Sequence, residues 1–125
     1  MQFFRFLYQT GHYSPSRPKA SGLMPNRGPD GRLEISTFEL SGLSDDAVWH
    51  HCDAFGRQDR IARAAAVVDE PSISETGLAP QISEPPPRHW RLVGWPGDDG
   101  RDAKDQQKAM AQALAARATL VTRPA

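Results

Sequence analysis

The sequence predicts an α+β fold: a small antiparallel or mixed sheet, two main helices packed on one face of it, and long Pro/Gly-rich loops. Three observations predict it. Short runs alternate with period two, as in RLEISTFEL (32–40) and RHWRLV (88–93). Two longer runs, at 45–55 and 103–118, keep helical spacing. Eleven prolines and ten glycines punctuate the rest. A chain of 125 residues makes one domain, 1–125. At that size it buries roughly two-thirds of its unfolded surface and needs no metal or disulfide to fold.

The aromatic-rich opening FFRFLY reads as a strand. Phe4, Phe6 and Tyr8 share one side, and Phe3, Arg5 and Leu7 the other. Residues 11–31 hold repeated prolines and form a long loop, with Arg17, Pro18 and Lys19 extended. The strand at 32–40 follows, with Leu33, Ile35 and Thr37 on one face. The turn GPDG before it can join it to an earlier extended segment.

A helix with a written start comes next. Ser44 caps it, Asp45 and Asp46 suit its positive end, and Leu43 staples to Val48. Gly56 is the expected stop. Residues 59–68 fit a helix or a strand equally. Residues 71–88 read as a proline-rich loop, with Pro85 to Pro87 in stiff polyproline II. The strand at 88–93 places Arg88, Trp90 and Leu92 against His89, Arg91 and Val93. GDDGRD (97–102) is a turn. The last helix is capped by Asp102 and buries Met110, Ala113 and Leu114, and 119–122 returns as a short strand.

The run His50, His51, Cys52, Asp53 resembles a metal site. Helical geometry divides it, because neighbours on a helix diverge by about 100°. With Val48 inward, Cys52 and Phe55 fall beside it, His51 lies on the boundary, and His50 and Asp53 point out. These residues cannot converge on one ion, so no metal is expected. His50 and Asp53 could still form an exposed proton-transfer pair, a weaker expectation than two solvated neighbours.

Fifteen basic residues balance fifteen acidic ones, which removes any global argument for nucleic-acid or membrane binding. A single cysteine and the lack of a secretory or spanning segment point to a cytoplasmic protein. Alanine and arginine richness suggests a bacterial source. Nucleotide-cofactor, nucleophile-elbow, CxxC and EF-hand motifs are missing, so no cofactor is expected.

Two functional readings remain. The first is a small non-enzymatic protein that binds a protein partner, as an accessory subunit, adaptor or inhibitor of the immunity type. Residues 71–87 and the Trp90–Trp95 region are the expected contacts. The alternative is a small enzyme acting on RNA or a nucleotide. There His12 and His89 would move protons, while Arg17, Lys19, Arg88 and Arg91 would contact phosphate, with Trp90 and Trp95 beside them. For each of these residues an ordinary structural role competes: a polar loop around Arg17 and Lys19, and an amphipathic strand around His89 and Arg91.

Overall fold

The structure is a computed structural model, and it describes residues 1–97 and 100–125. The strands are β1 (Gln2–Leu7), β2 (Asn26–Arg27), β3 (Leu33–Glu39), β4 (Ala64–Asp69), β5 (Ala79–Ile82), β6 (His89–Val93) and β7 (Thr119–Thr122). The helices are α1 (Asp45–Phe55), α2 (Glu70–Glu75) and α3 (Arg101–Arg117), with 3-10 turns at Thr10–His12 and Ala20–Leu23. One sheet holds all the strands in the order β5-β6-β3-β1-β4-β7, with β2 added beside β3. Every pairing is antiparallel.

The aromatic opening strand becomes β1, at the centre of the sheet. Its alternation sorts the core into two layers. Phe3 and Leu7 join Ile35, Leu92, Ala111 and Leu114 on one face. Phe4 and Phe6 join Phe38, Val48, Trp49 and Cys52 on the other. The expectation of two main helices on one face therefore gives way: α1 packs on one face and α3 on the opposite one.

Topology explains this. The β3–α1–β4 crossover and the β6–α3–β7 crossover both advance toward the β7 edge. Successive antiparallel pairings make β3 and β6 run in opposite directions. Crossovers between parallel strands are almost always right-handed. Two right-handed crossovers that advance the same way from oppositely directed strands must cover opposite faces.

Helix α1 starts as expected, with the Ser44 hydroxyl accepting from Ala47 N at 3.2 Å. Cys52 is buried, and Asp53 is exposed and pairs with Arg123 rather than His50. Phe55 is 41% exposed, so the inward face ends one turn earlier than its spacing suggests. Gly56 stops the helix for a reason other than a left-handed turn, since its φ is −79°. A Cβ there would lie 2.4 Å from Tyr8 Oη and 2.6 Å from the Cys52 carbonyl oxygen. Glycine is needed for space, not for conformation.

Other expectations shift in detail. Residues 64–69 are strand, not helix. The 71–88 segment is not a loop throughout, since most of α2 and all of β5 lie within it. Asp69 caps α2 by accepting from Ser72 N at 2.9 Å. The triple proline does not run as polyproline II: Glu84–Pro85 and Pro85–Pro86 are cis, and the run turns β5 into β6. Helix α3 is preceded by Gly100, with Asp102 inside its first turn rather than at the cap. Its buried face is Ala103, Gln107, Ala111 and Leu114, while Ala113 is exposed. The turn expected around Asp98 and Asp99 lies outside the described residues.

Candidate functional site

The site begins with one misplaced charge. In FFRFL, Arg5 occupies an inward position between Phe3 and Leu7 on the central strand. Strand β1 pairs with β4 along its whole length, Gln2↔Asp69 to Leu7↔Ala64. Against β3 it pairs only at Phe3↔Glu39 and Phe4↔Phe38. Beyond that point a guanidinium spans the divergence between the strands. Arg5 Nε donates to Gly22 O at 3.3 Å, and Nη1 donates to Ser36 O at 3.2 Å.

Gly22 permits this approach. A Cβ there would sit 2.9 Å from His12 Cβ and 3.0 Å from a Leu7 methyl. The 3-10 turn carrying Gly22 thus lies tight against the one carrying His12.

The divergence opens into a cleft of about 540 Å³. Its polar and cationic lining includes Arg5, Arg57, His12, His89 and Ser36. Its aromatic lining comprises Phe6, Tyr8, Phe38 and Phe55. No aspartate or glutamate is among the described lining residues. That volume lies in the range of pockets that hold ligands of drug size, roughly 300–1,000 Å³.

The charges are unequally balanced. Arg57 makes a forked pair with Asp59, at 3.0 Å through Nε and 2.7 Å through Nη2. It also stands 5.7 Å over the Tyr8 ring. Arg5 has no carboxylate partner among the described residues, and burial pushes its pKa down. Burial, and then the Arg5 charge, likewise lower the pKa of His12, which favours its neutral ring. Tyr8 is pushed up to about 12, chiefly by burial, and its hydroxyl accepts from Arg57 N at 2.9 Å.

His89 is held at both ends of its ring environment. Its Nδ1 lies 2.8 Å from Ser83 O, and its ring meets Phe38 edge-on at 5.4 Å. A carbonyl can only accept, so Nδ1 carries the proton and the neutral ring keeps its lone pair at Nε2. Behind Phe38 lies His51, packed between Phe38 (4.9 Å) and Phe55 (4.7 Å). Its Nε2 is buried without a hydrogen bond, and burial lowers its pKa.

The structure brings together some expected residues and separates others. His12 and His89 line the same cleft. Arg17 and Lys19 are exposed and do not line it. Arg88 faces Glu39, donating to its backbone oxygen at 3.2 Å with its carboxylate at 3.8 Å. Arg91 pairs with Asp30 at 2.7 Å and with buried Glu34 at 3.6 Å. Trp90 packs edge-on against Phe3 at 5.4 Å. Trp95 is buried, and its indole N–H donates to Leu92 O at 3.1 Å.

Sequence reasoning missed Arg5, Tyr8 and Arg57. For Arg5 a signal exists: a single charge at an inward position of an aromatic strand has no ordinary place in a core. Among the described residues, no group of three or more His, Cys, Asp or Glu side chains could hold a metal ion. No helix among them is long and apolar enough to cross a membrane. Compared with known proteins, the chain matches no protein-family model, no curated protein and no solved structure.

Proposed function

We propose that this protein works by binding a small organic anion in the cleft between β1 and β3. One observation carries the reading. Arg5 is a half-buried guanidinium lining the cleft, with no carboxylate partner among the described residues. Taking a charge out of water costs several kcal/mol unless an opposite charge accompanies it. Arginine also offers five N–H donors, of which Gly22 and Ser36 take two. The others suit the oxygens of a phosphate or carboxylate.

This reading keeps the expected phosphate-type ligand but assigns it to different residues: Arg5 and Arg57 in place of Arg17, Lys19, Arg88 and Arg91. Calorimetric titration with phosphate, sulfate and benzoate at low salt tests it. A charge-assisted hydrogen bond contributes about 1.5–3 kcal/mol, so Arg5→Met weakens binding roughly 10- to 150-fold. Undetectable binding at millimolar anion, or equal binding by Arg5→Met, sinks the proposal.

A protein partner is the second reading, favoured by Ile61 and Ile82, which are 62% and 63% exposed. Ile82 ends edge strand β5, inside the segment expected to make contacts. Pro80 within β5, and the shortness of both edge strands, discourage strand addition. Contact would therefore run through side chains. Trp49 and Trp95 have little free surface to offer, each being 7% exposed, whereas Trp90 is half-buried. Cross-linking in the native host, with Ile82→Asp as the comparison, tests this: an adduct lost in the variant supports it, and a free monomer refutes it.

A further inference from the structure

The polar lining of the cleft says more about the ligand than its charge does. We infer that the ligand is a nucleoside monophosphate, with its phosphate at Arg5 and its base against the aromatic wall and His89. This rests on the anion reading above and deepens it.

Three features select that class. The first is the pairing of a cationic floor with a wall whose accessible rings are Phe55, 41% exposed, and half-buried Tyr8. Inorganic anions use only the floor. A flat ring uses the wall as well, because aromatic faces stack bases without regard to their edge chemistry. The second is His89. With its Nδ1 proton fixed on Ser83 O, the free ring nitrogen is an acceptor. It asks for an N–H or O–H donor on the ligand, which the exocyclic amine or ring N–H of a base, or a ribose hydroxyl, supplies.

The third feature is the mixed set Gln9, Asn26 and Ser36 around the same cleft. Each both donates and accepts. All three are solvent-exposed, and base edges and ribose hydroxyls can replace the water on them, which a plain aryl acid does less fully. A cleft of about 540 Å³ also accommodates a mononucleotide.

Carboxylate ligands offer fewer acceptors to the Arg5 guanidinium: Arg57 is already paired with Asp59, so charge alone does not exclude one carboxylate. A phosphate monoester carries close to two negative charges at neutral pH and three accepting oxygens.

The test is calorimetric titration of the full chain with AMP, GMP, CMP and UMP, set beside adenosine, inorganic phosphate, benzoate and a six-nucleotide single-stranded RNA. At least one mononucleotide should bind ten-fold or more tightly than both adenosine and inorganic phosphate. His89→Phe should lower that affinity at least five-fold. Arg5→Met should lower both. Circular dichroism confirms that each variant is folded, and the wild-type ranking stands as a test if Arg5→Met fails to fold.

Several outcomes overturn the inference. Phosphate or benzoate binding as tightly as every mononucleotide does so while leaving the anion reading intact. So does a mononucleotide affinity indifferent to His89→Phe. Tighter binding of the RNA than of any mononucleotide assigns the cleft to a strand instead. Binding of none of the probes removes both readings together.

Discussion

Replacing Gly56 with alanine should destabilise the protein, although the backbone there would accept alanine. Its φ of −79° and ψ of −163° are ordinary extended values, so left-handed strain plays no part. The cost is steric. The new methyl would lie 2.4 Å from Tyr8 Oη and 2.6 Å from the Cys52 carbonyl oxygen. That carbonyl accepts from Gly56 N at 2.8 Å and closes the last turn of α1, so it resists movement. Tyr8 must yield, and its hydroxyl then loses the Arg57 N–H at 2.9 Å. Overpacking costs about 1–3 kcal/mol. The lost hydrogen bond adds about 1 kcal/mol. Together they lower the melting temperature by something on the order of 10 °C at this chain length.

The control is Gly11→Ala, where nothing lies within 4 Å of the added Cβ. It should be neutral, or stabilising by up to about 1 kcal/mol through the unfolded chain. Urea unfolding of both variants measures the difference. Because Tyr8 and Gly56 both line the cleft, Gly56→Ala should also weaken anion binding. If the two variants melt alike, the close packing of Tyr8 against the end of α1 is refuted.

Other expectations follow from the packing. Leu114→Ala should cost about 2–5 kcal/mol and Ala113→Ser less than about 0.5 kcal/mol, and chemical denaturation that reversed the pair would rotate the buried face of α3. Arg91→Met removes the cation nearest the Glu34 carboxylate, whose side chain is 9% exposed, and should cost about 1–3 kcal/mol. Adding Glu34→Gln should recover part of that loss, and a strictly additive double mutant would deny the coupling. His51 and His12 both titrate below their ordinary 6.5 in the fold. The unfolded chain therefore takes up protons first, and stability should fall as pH drops through 6.5 toward the lowered values. His51→Phe should flatten that slope in part, since His12 contributes with the same sign, and an unchanged slope would remove His51 from the account.

Much of the fold was legible because local signals agreed with tertiary needs. Ser44, Asp45 and the Val48–Cys52 spacing specify α1 within a single turn of helix. RLEISTFEL alternates and becomes β3. Helix placement was not legible, because the face a crossover covers depends on strand direction and order across the whole sheet. The fork holding Arg5 was also out of reach, since it arises where β1 and β3 stop pairing and the turn carrying Gly22 approaches. Sequence reasoning named His12 and His89 as chemical candidates, and the fold places both on one cleft. It gave the cationic role to Arg17 and Lys19, which are exposed outside the cleft, and to Arg88 and Arg91, which the fold pairs with Asp30, Glu34 and Glu39. Those acids lie far from their partners in sequence, so composition could not reveal the pairing.

The central claim is that Arg5, not the more conspicuous surface arginines, holds the ligand. A crystal structure of the protein soaked with phosphate or AMP tests it most directly. Phosphate density is expected within hydrogen-bonding distance of the Arg5 guanidinium, between β1 and β3, beside Tyr8 and His89. Density at Arg17, Lys19, Arg88 or Arg91, with the Arg5 cleft unoccupied, would contradict it.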